Sequence, residues 1–155
     1  MKKIKIIGCG NLLAHDEGVG IHIVRRLQNE ILPESVEIRE LRSPGQLLVE
    51  LLAGSDKVII IDACSTQGPA GTVYRYTLKE GDSDNLEGIL FKTIHAHNFY
   101  PLLELRGKIS PSGLPKEIIV IGIEIEERHR FCIGLSQNVF AVVDEVVNMI
   151  MNELY

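Results

Sequence analysis

Three separate stretches of this sequence carry side chains that could act together on a metal ion or a peptide carbonyl. Asp16 and Glu17 end the glycine-rich run Gly8-Cys9-Gly10-Asn11-Leu12-Leu13-Ala14-His15-Asp16-Glu17-Gly18-Val19-Gly20. Asp62 closes the apolar run Val58-Ile59-Ile60-Ile61. His95 and His97 sit in Thr93-Ile94-His95-Ala96-His97-Asn98-Phe99, just before a short helical pattern. Carboxylates joined by an imidazole suit borderline divalent ions such as nickel, zinc or cadmium. A carboxylate can also take a proton as general base, and Asp16, Glu17 and Asp62 are the candidates for catalysis.

Each of these residues has a plainer reading on its own. Glu17 could simply favour the start of a helix, where backbone N–H groups point outward. Asp62 could cap a loop. A lone histidine more often sits in a core or on a surface than on a metal, and His15, His22 and His129 are read that way. The case for Asp16, Glu17, Asp62 and one of the two histidines rests on their expected convergence. In an open parallel sheet, ligands bind beyond the carboxyl ends of the strands.

The glycine run also resembles a phosphate-binding turn. Gly8 and Gly10 supply two glycines of a dinucleotide fingerprint, but Leu13 stands where the third belongs. Glu40, ending the second strand, could imitate a ribose-binding acid. Asp16 and Glu17, however, face the helix start that would hold the pyrophosphate, and two carboxylates repel it. The nucleophile elbow and HExxH patterns are absent.

The elements that must position these residues read as an alternating α/β chain. Lys3–Ile7, Val36–Leu41, Lys57–Ile61 and Glu117–Ile123 are expected strands. The third and fourth are continuously apolar, as strands covered on both faces are. Gly71–Thr77 alternates, which predicts an edge or antiparallel strand. Ile21, Val24, Leu27 and Ile31 recur at helical spacing until Pro33. Gln46–Ala53 and Pro101–Leu105 are expected to be short helices, and Lys79–Gly88 a polar loop. Ser136 is the expected N-cap of a last helix, whose stripe is Val139, Val142, Val143, Val146, Ile150 and Leu154. The fold expected is a three-layer α/β/α sandwich around a mostly parallel, twisted sheet of the phosphorylase/hydrolase-like kind, as one domain over residues 1–155.

Composition limits the function classes. The chain has 155 residues, 45% of them apolar, and 16 basic against 21 acidic residues give a net charge of −5. No basic face for nucleic acid is visible. The apolar start at Ile4 is too short for a signal peptide and contains Lys5. No run reaches the ~18 apolar residues of a membrane span. Three cysteines, Cys9, Cys64 and Cys132, form no CxxC pair and are expected as small buried hydrophobes in a cytoplasmic protein.

With these residues in place, the chain resembles the hydrogenase maturation endopeptidases, which trim a C-terminal extension from the large subunit of [NiFe]-hydrogenases. The resemblance lies in Gly8-x-Gly10-Asn11-x-Leu13-x-x-Asp16-Glu17-Gly18-x-Gly20, in Ile60-Ile61-Asp62-Ala63, in Gly71-Thr72, in Val120-Ile121-Gly122-Ile123 and in Ile133-Gly134-Leu135-Ser136. It implies that Glu17, Asp62 and a histidine bind metal. His97, in His97-Asn98-Phe99, is favoured for that histidine, and His95 is the alternative. It further implies that the metal is nickel already held by the precursor large subunit, with zinc or cadmium standing in when the protein is alone. The partner would be that precursor, and the protein is expected to work as a monomer, without inserting in a membrane. Where the family usually has Gly-Gly-Thr-x-Gly after the second strand, this chain has Leu41-Arg42-Ser43-Pro44-Gly45. A nickel-binding assembly chaperone without peptidase activity, or a nucleotide-binding α/β enzyme, are the alternatives.

Overall fold

The computed structural model describes residues 1–42, 51–79, 115–126 and 131–155. The expected helix Pro101–Leu105, most of the loop Lys79–Gly88, His95, His97 and His129 lie outside the described residues, as does all of Gln46–Ala53 before Leu51.

Strand β1 runs Ile4–Cys9, and a 3-10 turn at His15–Gly18 leads into helix α1, Val19–Leu27. Then come β2 at Val36–Leu41, β3 at Lys57–Cys64, β4 at Val73–Lys79 and β5 at Glu117–Glu124. Two helical pieces close the chain, α2 at Gln137–Phe140 and α3 at Val143–Asn152. The strands form one sheet in the order β2-β1-β3-β5-β4. All neighbours are parallel except β4, which runs antiparallel to β5 at the edge. The alternation in Gly71–Thr77 therefore reports an antiparallel edge strand, as expected, shifted to Val73–Lys79.

Why β3 sits at the centre follows from its sequence. All eight of its residues are buried, so both faces need apolar cover. Ile59 and Ile61 join a cluster with α1 and α3, whereas Val58 and Ile60 join Ile7, Leu41, Leu52, Ile118 and Val120 on the opposite face. Fully burying one such side chain stabilises the fold by roughly 1.5–3 kcal/mol. Lys57, at the other end of β3, is buried too. It spends its charge on Glu153 of the C-terminal segment, with Nζ–O distances of 2.9 Å to the carboxylate and 3.1 Å to the carbonyl.

The helices depart from the expected stripes at their ends. Helix α1 stops at Leu27, and Ile31 is 89% exposed rather than part of the apolar face. The N–H groups of Asn29 and Glu30 bond carbonyls three residues back, which tightens the chain out of the helix. The last helix breaks at Ala141–Val142, yet Val139, Val146 and Ile150 still reach the core.

Glycines Gly8 and Gly20 set how closely α1 lies on the sheet. A Cβ on Gly8 would meet the Gly20 carbonyl oxygen at 2.3 Å and the Val24 methyls at 2.7 Å. A Cβ on Gly20 would meet the carbonyl oxygens of Cys9 and Ile61 at 2.3 and 2.4 Å. These glycines therefore serve a helix–strand contact across β1 and β3, and the turn they frame is drawn down onto the sheet edge.

Candidate active site at the carboxyl edge of the sheet

The turn after β1 is built by its own backbone. Asn11 takes the Leu13 N–H on its side-chain oxygen at 3.0 Å and the Ala14 N–H on its carbonyl at 3.1 Å. The Ala14 carbonyl accepts from Glu17 at 3.2 Å, and the Glu17 carbonyl accepts from Asn11 at 3.4 Å. This loop packs against β3 and delivers Asp16 and Glu17 in adjacent positions of one 3-10 turn.

The two acids then part company. Glu17 is half-buried at the edge, next to the start of α1, where the outward N–H groups favour a negative charge. Asp16 is fully buried. Its Oδ1 accepts the Ser136 N–H at 2.7 Å, and its Oδ2 accepts the Ser136 hydroxyl at 2.8 Å. Ser136 occupies the expected N-cap position of α2, but its hydroxyl makes no bond to that helix and goes to Asp16 instead. A carboxylate engaged through both oxygens beneath the surface holds a turn in place. It is poorly placed to meet a peptide, so the structure lends no geometry to Asp16 as general base.

Asp62 lies inside β3 and not in a loop, because the strand continues through Cys64. The register pairs Gly8 with Ile61, so Asp62 stands beside Cys9 at the end of β1. It is fully buried and accepts the Ala63 N–H at 2.8 Å. Its charge is felt nearby: burial pushes the Cys9 thiol well up, and Asp62 adds to the rise. A buried carboxylate at a strand end favours a cation.

The expected ligands are therefore brought together only in part. Glu17 and Asp62 belong to neighbouring elements of one edge, while His95 and His97 lie outside the described residues. Among the described residues, no three His, Cys, Asp or Glu side chains converge closely enough to hold a metal.

The sequence reading missed Glu124, the last residue of β5. It is 1% exposed and gathers the loop after β3. Its carboxylate accepts the Thr66 N–H at 2.7 Å, the Thr66 hydroxyl at 2.8 Å, the Gly68 N–H at 3.2 Å and the Cys64 thiol at 3.4 Å. The signal available beforehand was an acid ending a continuously apolar run, the same signal that singled out Asp62. Gly71, in the same loop, has φ +87° and a position where a Cβ would meet the Asn138 carbonyl oxygen at 2.6 Å.

Other residues fall out of the chemistry. Glu40 is held by Arg25 at 2.8 Å and by Arg42 at 2.5 Å, and the Arg25 bond leads in drawing its carboxyl below the usual range. It is committed to a surface cluster, not to a ribose. Cys132 is exposed, against expectation, because its backbone serves as a bridge: it donates to Leu13 at 3.0 Å and accepts from His15 at 2.9 Å. Burial, with help from Arg25, lowers the pKa of His22. No helix among the described residues is long and apolar enough to cross a membrane.

A profile of the hydrogenase maturation proteases matches residues 21–153. The chain belongs to the hydrogenase maturation protease family. It is an endopeptidase of hydrogenase maturation. A Methanocaldococcus jannaschii protein provisionally named a hydrogenase maturation protease is 33% identical over 157 aligned positions, covering 99% of this chain and 97% of that one. The hydrogenase 2 maturation protease of Escherichia coli is 29% identical over 155 positions, covering 98% and 90%. Among solved structures, the E. coli hydrogenase maturating endopeptidase HybD superposes with a TM-score of 0.79 at 26% identity, covering 98% of this chain and 91% of its own. A hydrogenase 2 maturation peptidase from a Thaumarchaeota archaeon gives 0.75 at 27% identity, covering 99% and 98%. This protease thus shares its α/β fold with relatives matched over nearly their whole length.

Proposed function

We propose that this protease removes the C-terminal extension of a [NiFe]-hydrogenase large-subunit precursor after nickel has been inserted, acting in the cytoplasm as a monomer. The observation that carries the reading is the pair Glu17 and Asp62, set by the 3-10 turn and by β3 at the same carboxyl edge of the sheet. In this reading Glu17, Asp62 and His97, with His95 as the alternative, take positions on the nickel that the precursor's own thiolates hold. Nickel so placed can polarise the scissile carbonyl or acidify a bound water. Two carboxylates and a single imidazole bind a borderline divalent ion weakly, and thiolates from the precursor strengthen the site. Cleavage then depends on the loaded state of the substrate, which makes the protease a checkpoint.

The test is cleavage of purified precursor, followed by mass spectrometry of the released peptide. Nickel-loaded precursor should be cut, and nickel-free precursor should stay intact even with zinc added. Asp62→Asn keeps the shape and the acceptor for Ala63 but removes the charge, and should abolish cleavage. Efficient cutting of nickel-free precursor would overturn the checkpoint. In a thermal-shift series, nickel, cadmium or zinc should stabilise the protein alone and magnesium should not, with the shift lost in His97→Ala and only weakened in His95→Ala.

A further inference from the structure

We infer that Asp16 is a positioning residue: through Ser136 it fixes the turn that aims Glu17 at the sheet edge. The inference rests on the proposed role of Glu17 as a metal ligand.

The two acids occupy consecutive positions of one 3-10 turn, where neighbouring side chains diverge by about 120°. Clamping one of them inward therefore determines where the next one points. The clamp is complete: Asp16 is fully buried, and Ser136 supplies both its N–H and its hydroxyl. A third donor, the Glu126 N–H, stands at 3.5 Å. Both donors at close range come from the segment between β5 and α2, which is 120 positions away in the chain. The same segment ties down the approach to the turn, through the Ala14–Cys132 bridge. Between bridge and clasp sits His15, a non-glycine residue at φ +52°. A residue stays in that region only when its surroundings over-determine the backbone.

Fold stability alone explains this poorly. Among the described residues, the partner besides the backbone and Ser136 is His15 Nε2 at 3.9 Å, so the buried carboxylate is held there mainly by hydrogen bonds to one serine. Apolar groups of similar volume often fill such a site with no loss of stability. Ser136 also gives up the capping bond that its hydroxyl would otherwise offer α2. What the arrangement secures is a single direction for Glu17.

The experiment compares Asp16→Asn, Ser136→Ala, the double variant and Glu17→Gln in the full chain. Three quantities are read: affinity for cadmium alone by calorimetry, melting temperature, and kcat against KM on nickel-loaded precursor. Partners that orient a ligand typically contribute about 10–100-fold to metal affinity. Ser136→Ala, the milder change, should weaken cadmium binding about 10-fold and lower kcat with little change in KM. Asp16→Asn should do so more strongly, and the double variant should be no worse than Asp16→Asn, because the two residues act as one unit. If both variants lower only the melting temperature and bind cadmium like the wild type, the clasp is structural and the inference fails. It fails equally if Asp16→Asn stops cleavage while Ser136→Ala changes neither cleavage nor affinity, since that pattern marks a general base. If Glu17→Gln binds cadmium like the wild type, the metal reading itself is wrong. Cleavage then decides: Ser136→Ala must still lower kcat, and an unchanged kcat overturns the clasp.

Discussion

Replacing Gly20 by alanine should damage both the stability of this protease and the proposed metal site. The added methyl would lie 2.3 Å from the Cys9 carbonyl oxygen, 2.4 Å from the Ile61 carbonyl oxygen and 2.9 Å from the Cys9 nitrogen. All three are backbone atoms of the two central strands β1 and β3, so no side-chain rotation can relieve the clash. Either α1 lifts from the sheet or the strand ends separate. Overpacking in a core costs about 1–3 kcal/mol, and contacts limited to backbone place this case near 3. For a chain of this length each kcal/mol shifts the melting temperature by about 2–4 °C, so a fall of about 6–12 °C is expected. Gly54→Ala is the control. Its φ of +74° strains an alanine, but nothing lies within 4 Å of the new methyl, so about 1 kcal/mol is expected there. Thermal unfolding followed by circular dichroism gives both values. Because Ile61 precedes Asp62 and α1 follows directly from the turn of Glu17, Gly20→Ala should also weaken the cadmium-induced shift at temperatures where it is folded. A melting temperature within 2 °C of wild type, or a larger loss in Gly54→Ala, would refute the argument that the glycine is there for close approach.

Two further outcomes follow from burial and charge. Burial pushes the thiols of Cys9 and Cys64 up, with Asp62 adding to the rise at Cys9 and the Glu124 hydrogen bond adding at Cys64, whereas Cys132 is exposed. Iodoacetamide at pH 8 should therefore label the native protein once, at Cys132, and all three cysteines only after denaturation, as peptide mass spectrometry would read. Burial raises the pKa of Glu153, but the bonds from Lys57 and Arg75 outweigh it, and the net shift is downward from the ordinary carboxylate value of 4.5. A depressed folded pKa means stability that is present above the unfolded value and lost as pH falls through the folded one. The melting temperature of Glu153→Gln should accordingly be lower than wild type at neutral pH and converge with it as the pH falls below 4.5 and through the lowered folded value; a gap that persists unchanged in acid would exclude the linkage.

Much of the scaffold was legible in local patterns, because period and hydrophobicity report burial directly. Val58–Ile61 and Ile118–Ile121 read as strands covered on both faces, and they form β3 and β5, both interior to the sheet. The alternation of Gly71–Thr77 marked the antiparallel edge, which the structure shifts to Val73–Lys79, and the acid closing one buried run singled out Asp62 as a candidate. The glycine-and-acid turn spoke against a phosphate site, because the sign of two adjacent charges does not depend on the fold. Only the tertiary structure could divide the labour among these residues. Asp16 and Glu17 are chemically alike and adjacent, and nothing local says that one is clamped by Ser136, 120 positions away, while the other is left at the edge. Glu124 gathers Thr66 and Gly68 across more than fifty positions, and Gly20 faces the Ile61 carbonyl of a strand it does not adjoin in sequence. Such contacts depend on the strand order β2-β1-β3-β5-β4, which brings the ends of β1, β3 and β5 side by side. Hydrogen-bond partners are chosen by proximity in space, and a one-dimensional pattern records only the groups that need one.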